Sequence, residues 1–428
     1  MSRFSMRRHG CALAVTVAAI AATPLPATAG GNGPVTELVS VGSDGEPARY
    51  GGGLAAMSAD GRLVVFESMS PDLVPGDTNG ADVFLRDRRS GVTTRVSVGT
   101  GGQQGDDGSY LPSISADGRY VAFRSDATNL VPGDDNGRSD AFVRDLRSGT
   151  VVRIQAVAAT AVLEVVISAG GRHLAYTSRL TPDEGAWGVH VRDLSTGVDR
   201  LVSVSSTGEP GDDSGSDLAI SADGSVVAFA SSATNLVPHD TNGAQDVFTH
   251  DTRTGLTRRV SVRTGGGQLS DHSGSPAISA DGRVVAFGSR DTTLVPRDTN
   301  DAEDVFVHDL RTGRTVLASI DAAGRRGLGY SWEPSLSADG RFLAFSMATT
   351  PESQDTGRRI EALVRDLRRG VTREVAPSWR GGPADGDTMI TSMTPDARFV
   401  AFGSNATDLV RGRTGVPGGV YVRGPLRP

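Results

Sequence analysis

The chain has 428 residues, 55 of them glycine, and an aromatic share of only 5%, which suits tight turns between short strands better than long helices. Its formal net charge is −7, and every one of its 43 basic residues is arginine. The acidic balance argues against a nucleic-acid partner, whose phosphates need a basic surface.

Taken in chain order, the first segment predicts an export signal over residues 1–29. Arg3, Arg7 and Arg8 make a basic start, Cys11 to Ile20 a short apolar stretch, and Ala27-Thr28-Ala29 a small-residue cleavage site. About ten apolar residues are too few for a permanent membrane anchor. The Arg7-Arg8 pair lacks the apolar residues that should follow it on a twin-arginine route, so the choice of export pathway stays open. Cys11 lies at the start of the apolar stretch rather than after it, which excludes a lipoprotein anchor. Cleavage removes three arginines and no acid, taking the charge from −7 to −10, and removes the single cysteine as well. The mature domain, residues 30–428, therefore holds together without disulfides. It contains no second apolar run long enough to span a membrane. A secreted, extracellular monomer is expected.

Next comes a strand, Val35 to Val41, and then a phrase that returns seven times. Ser-Ala-Asp-Gly or a worn copy of it begins at Ser58, Ser115, Ser168, Ser221, Ser279, Ser337 and Thr394, at steps of 57, 53, 53, 58, 58 and 57 residues. Even self-similarity on this scale predicts repeated units, none of which can bury its apolar face alone. In the second unit a strand of Leu111 to Ser115 enters the turn, where Gly118 supplies a positive φ. Arg119 to Ser125 alternates as a buried strand, Ser139 to Asp145 is a third, and Val151 to Val157 a fourth. Four antiparallel strands make one propeller blade. The other units keep the pattern, with Phe66, Phe229, Phe287, Phe345 and Phe402 on the second strand and Phe84, Phe248 and Phe306 on the third.

The seventh unit stops after its third strand, Gly419 to Arg423, with five residues left. Its missing strand lies at the other end of the chain. Val35 to Val41 matches the fourth strands Thr93 to Val98 and Leu256 to Val262 rather than the start of a unit. The fold class is accordingly all-β: one seven-bladed propeller of four-stranded antiparallel blades, with the N-terminal strand completing the last blade. Such a latch leaves no blade edge open to pairing.

The Ser-x-Asp-Gly turn, the Ala-Phe strand after it and the Asp-aliphatic-aromatic strand beyond resemble the TolB-like, WD-repeat-related repeats of bacterial periplasmic and secreted proteins. The resemblance spans about residues 34–428. It implies the propeller fold and is poor in information about activity, because such repeats serve as binding scaffolds and as modules attached to hydrolases. No hydrolase domain and no counterpart of TolB's separate N-terminal domain is evident in the sequence.

In a propeller the second-to-third-strand loops and the interblade loops open on one face. The former carry Asp77, Asn79 and Asp82; Asp134, Asn136 and Asp140; Asp240, Asn242 and Asp246; and Asp298, Asn300 and Asp304. Alternating oxygen side chains in glycine-containing loops suit Ca²⁺. They equally suit turns that Asp and Asn cap through their own backbone, so a Ca²⁺ cofactor and plain turn-building both stay open. Asp106 and Asp107, Asp212 and Asp213, and Asp271 and His272 stand in the interblade loops as candidate binding residues.

The six histidines left after export form no metal spacing, and His250 and His308 replace Arg86 and Arg144 at positions taken as surface sites. No nucleophile elbow or phosphate-cradling loop is present. The sequence favours a non-catalytic scaffold for a protein, peptide or glycan. Its rival is a hydrolase or lyase of polysaccharides that uses acids such as Asp107 and Asp213 with His272.

Overall fold

The computed structural model describes residues 33–426 except 79, 157–159, 182–184, 297–299, 301, 327–328, 351–358 and 413–417. The proposed export segment lies outside the described residues. Among the described residues twenty-eight strands make seven sheets of four. After β1 (Val35–Leu38), blade 1 is β2 (Ala55–Met57), β3 (Leu63–Ser68), β4 (Asp82–Asp87) and β5 (Val92–Arg95). Blade 2 is β6 (Ser109–Ile114), β7 (Tyr120–Ser125), β8 (Asp140–Asp145) and β9 (Val151–Ile154). Blade 3 is β10 (Val162–Ile167), β11 (His173–Arg179), β12 (Trp187–Asp193) and β13 (Asp199–Leu201). Blade 4 is β14 (Gly215–Ile220), β15 (Val226–Ser231), β16 (Asp246–Asp251) and β17 (Leu256–Arg259). Blade 5 is β18 (Ser273–Ile278), β19 (Val284–Ser289), β20 (Asp304–Asp309) and β21 (Arg314–Leu317). Blade 6 is β22 (Ser331–Leu336), β23 (Phe342–Ala348), β24 (Ile360–Asp366) and β25 (Val371–Glu374). Blade 7 is β26 (Thr388–Met393), β27 (Val400–Ser404), β28 (Gly419–Gly424) and β1.

The latch is therefore present. β1 pairs antiparallel with β28 from Val35 opposite Gly424 to Leu38 opposite Tyr421. Beyond the pairing, the Val39 amide donates to the Val420 carbonyl at 2.9 Å, and Val39 is fully buried.

Each Ser-x-Asp-Gly turn is built by its own side chains. Ser115 Oγ donates to Asp117 Oδ1 at 2.6 Å and accepts the Tyr120 amide at 2.9 Å, while Asp117 also accepts the Arg119 amide. Gly118 has φ 69°, and a Cβ there would stand 2.7 Å from Leu63 Cδ1 of the preceding blade. The positive φ is what calls for glycine there.

Neighbouring turns then bond to one another around the axis. The amides of Ala59, Ala116, Gly170, Ala222, Ala280 and Ala338 donate to the carbonyls of Ala116, Ala169, Ala222, Ala280, Ala338 and Pro395, at 2.8–3.0 Å. A seventh link would need an N–H from Pro395, which has none. The ring of backbone bonds opens between blades 7 and 1.

Aromatic pairs fill the sheets. Phe66 stacks on Phe84, Phe123 on Phe142 and Phe229 on Phe248, with centroids 5.7–5.9 Å apart. Phe123 and Phe142 pack against Val65 and Val83 of blade 1, so these rings join adjacent blades. Blade 3 departs: Tyr176 stacks on His190, and its hydroxyl donates to Asp199 at 2.6 Å.

Candidate functional site

Two kinds of loop meet on the face opposite the ring of turns. Among the described residues an interblade loop starts in five cases as a small hairpin marked by a bridge, Val41 with Pro47, Val98 with Gln104, Val204 with Pro210, Val262 with Gln268 and Ile320 with Arg326. It then bonds to a second-to-third-strand loop. Asn129 Nδ2 donates to the Gln104 carbonyl at 2.9 Å, and Gln104 Nε2 donates to Asp77 at 2.8 Å.

Three of the four Asp and Asn sets on this face are closed by arginine; in blade 5 the fourth strand carries Leu317 at the matching position. Arg95 of β5 lies 3.2 Å from both Asp77 and Asp82. Arg153 of β9 spans Asp134 at 3.1 Å and Asp140 at 3.0 Å, and Arg259 of β17 lies 3.3 Å from Asp240 and Asp246. Asn136 and Asn242 each donate to the second Asp at 3.1 Å, and Asn300 donates to Asp304 at 3.0 Å. Ser97 and Ser261 donate to Asp82 and Asp246 at 2.6 Å, and Ser319 to Asp304 at 2.5 Å. Asn79 and Asp298 lie outside the described residues. Burial pushes the Asp82 carboxyl up to about 6 despite its partners, and burial raises Asp140 and Asp246 as well.

Tested as a Ca²⁺ site, these residues do not fit. In blades 1, 2 and 4 a largely buried guanidinium already stands between the two carboxylates, and Asn136, Asn242 and Asn300 present the amide N–H₂ to a carboxylate rather than an oxygen to an ion. Among the described residues no three His, Cys, Asp or Glu side chains group to hold a metal. The arrangement is a strut that ties the fourth strand to the loop over it.

The interblade residues are also engaged, at separate junctions. Asp106, between blades 1 and 2, accepts the Thr128 amide and hydroxyl, both at 2.7 Å, and Asp212, between blades 3 and 4, accepts the same groups of Thr234. Those bonds hold both carboxyls below the usual carboxylate range. Asp107, Asp213 and Asp271 each accept the next residue's amide, at 2.6–2.7 Å. His272 Nδ1 accepts the Gln245 amide at 3.0 Å, so that nitrogen carries no proton.

His250 and His308 correct the surface reading. Both are buried, at 6% and 5% exposure. Thr257 gives its hydroxyl hydrogen to the Val204 carbonyl, so His250 Nδ1 donates to Thr257 Oγ1, at 2.9 Å; His308 and Thr315 repeat the pattern. Arg86 meets Thr93 in the same way at 3.0 Å. The shared demand is a donor beneath the interblade hairpin, not solubility, and burial lowers both histidines.

Two features were not read from the sequence. The innermost strands carry bulges at which Leu111, Asp217, Ser275 and Glu333 take positive φ of 49–55°, a conformation costing about 1–3 kcal/mol each. Carboxylates stitch several of these bulges to the preceding blade: Glu67 accepts the Leu111 amide at 3.0 Å, Glu164 the Leu218 amide at 3.2 Å, and Asp217 the Ser275 amide at 3.0 Å. Burial raises Glu164, Glu303 and Glu333. The second feature is a cleft of about 540 Å³ between blades 1 and 2, lined by Tyr50, Gly52, Gly53, Glu67, Met69 and Tyr110, among others. A departure from the repeat at Tyr50 and Met69 was its only sequence signal.

No family model and no curated protein matches the chain. Solved structures do match. The oligogalacturonate lyase of Vibrio parahaemolyticus is 14% identical at TM-score 0.52, over 88% of this chain and 89% of that one. The β-propeller domain of the Trilobed protease from Pyrococcus furiosus is 11% identical at TM-score 0.53, over 88% and 96%. TolB from Acinetobacter baumannii is 16% identical at TM-score 0.42, over 86% and 81%. What is shared is the propeller. TolB proteins stand among the structural neighbours. The Pyrococcus domain has an open velcro topology, whereas here β1 closes blade 7.

Proposed function

We propose that the chain is exported by residues 1–29 and works outside the cell as a non-catalytic scaffold that binds a protein, peptide or glycan on its loop-rich face. One observation carries this reading. The recurrent acids of that face are spent on holding loops together, while the same face keeps an open cleft with large exposed side chains: Tyr50 is 63% exposed and Met69 66%. Exposed apolar groups rimmed by polar loops are a property of binding surfaces. Binding needs no acid–base pair, and the separate junctions of Asp107, Asp213 and His272 supply none at a single point.

The test is an array of cell-wall glycans and secreted proteins probed with the mature chain. Stable capture without turnover supports the scaffold. Cleavage of a glycan would favour the lyase or hydrolase reading, with the burial-raised Glu164, Glu303 and Glu333 as the acids to mutate first. Export is checked separately: the protein recovered from culture medium should begin just after Ala29.

A further inference from the structure

The cleft between blades 1 and 2 breaks the repeat at two places that blade construction leaves unconstrained. Tyr50 lies three residues past the bridged Pro47, where Asp107, Asp213 and Asp271 lie three past Gln104, Pro210 and Gln268. Met69 follows Ser68, as Asp126, Ser232 and Arg290 follow Ser125, Ser231 and Ser289 at the ends of the corresponding strands. Both replacements put large apolar groups into solvent rather than into a core.

Between them stands Glu67, half-buried in the cleft wall. Its Oε2 accepts the Leu111 amide, and among the described residues it makes no other hydrogen bond and no ion pair. Gly53 packs so closely that a Cβ there would fall 2.5 Å from Glu67 Oε1. The opposite wall is Tyr110, whose ring lies 5.4 Å from the Arg124 guanidinium. The surroundings of that phenol are acidic, since burial first and then Asp126, Asp107 and Glu67 raise it. The cleft thus combines a carboxylate lacking a cationic partner, two phenol rings and a thioether, on a chain of net charge −7.

We propose that this cleft binds the cationic side chain of a partner peptide, a lysine whose methylene stem lies against Tyr50 and Met69 and whose ammonium meets Glu67. The Tyr50 ring adds cation–π attraction, the Tyr110 ring being already met by Arg124, and the apolar rim accepts the stem that lysine buries while its charge stays polar-bound. This deepens the scaffold reading and rests on it for the class of partner.

The probe is acetyl-Gly-Lys-Gly-amide, titrated into the mature protein by calorimetry and by NMR of the tyrosine and methionine resonances. Shifts at Tyr50, Tyr110 and Met69 are expected, with binding that weakens as salt rises. Acetylating the lysine should cost roughly tenfold or more in affinity, the scale of one charge-assisted contact. Glu67→Gln should cost as much, because glutamine keeps an oxygen for the Leu111 amide while the charge is lost; an unchanged melting curve confirms that the fold is intact. Tyr50→Ser and Met69→Ser should each weaken binding less. Equal affinity for the acetylated peptide, no binding of the lysine peptide at millimolar concentration, or competition by a neutral methyl pyranoside overturns the lysine assignment. Array partners that bind Glu67→Gln as well as wild type also overturn it, yet leave the scaffold reading standing.

Discussion

The two faces of this propeller use the same residue types under different constraints. On the face of the Ser-x-Asp-Gly turns, Ser115, Asp117 and Gly118 are fixed by a hairpin that must also touch the next blade. On the other face, Asp106, Asp134 and Asp271 serve loops that only have to reach a neighbour, and the junctions do so in more than one way. At blades 1 and 5 the carboxylate has changed sides: Asp72 and Asp291 of the second-to-third loops accept the Arg49 and Ser270 amides, where Asp106 and Asp212 of the interblade loops accept from the other loop. A ring of like contacts admits one solution, whereas a set of separate junctions admits many. The free variation, and with it any specific recognition, collects on the second face.

Removing the closure strand is the harshest test of this contrast, because both faces depend on a closed circle. Deletion of residues 34–43 strips the pairing from β28 and exposes Val420 and Val422, both fully buried. A fall in Tm of about 10 °C or more is expected by calorimetry. An unchanged melting curve would mean that blade 7 stands without its fourth strand.

The next largest effect belongs to the arginine struts. Arg95→Met leaves Asp77 and Asp82 buried without their guanidinium, a loss of about 3–5 kcal/mol by denaturant unfolding. Adding Asp77→Asn and Asp82→Asn to that variant should recover a large part of it. Ca²⁺ titrated into chelator-treated wild-type protein should give neither heat nor a shift in Tm, and a clear shift would mean that the loops hold the ion.

The fold was legible because its signals recur. Seven copies of one turn, an alternating strand with Phe123 and its equivalents, and a fourth strand displaced to Val35 state a latched seven-bladed ring with little else to weigh. The loops were legible only as composition. Asp77, Asn79 and Asp82 read alike as cation ligands or as turn caps, since the deciding residue, Arg95, sits on the fourth strand and is far more plainly a strand residue than a counter-ion. His250 looked exposed because it alternates with arginine, although both types act as buried donors to a threonine. The positive φ of Leu111 and Asp217 leaves no trace in residue type, being imposed by the bulge of an inner strand.

Acidity should separate the two faces. Carboxyls in the struts, Asp82 at about 6 with Asp140 and Asp246 also raised, hold protons more tightly folded than unfolded, so they favour folding at low pH and this share is lost as pH rises from about 4 to 6. Hairpin carboxyls paired with arginine, Asp145 and Asp366 at about 2, do the opposite: their contribution is present above the unfolded value and is lost as pH falls from about 4 towards 2. The buried His250 and His308, held below the usual imidazole value, add a contribution that grows as pH rises towards about 6.5, so variants and not the wild-type profile separate the two carboxyl classes. Asp82→Asn should flatten the acid-side gain between pH 6 and 4 and leave the loss below pH 4 as it was. An Asp82→Asn variant whose stability runs parallel to wild type between pH 4 and 6 would contradict the strut chemistry.

The smallest effect compares one hydrogen-bonding side chain from each face. Ser115 is fully buried, and Ser115→Ala removes both the acceptor of the Tyr120 amide and the donor to Asp117, so about 1–3 kcal/mol should go. Asp106→Asn keeps an oxygen for the Thr128 amide, loses the acceptor of the Thr128 hydroxyl at an exposed site where water can replace it, and should cost less than about 0.5 kcal/mol. Measured in one denaturant series, the ratio matters more than either value, because both bonds join a serine or threonine hydroxyl to an aspartate. Equal losses would show that the loop face is as tightly specified as the turn face, and its divergence between blades would then need a cause other than freedom from packing.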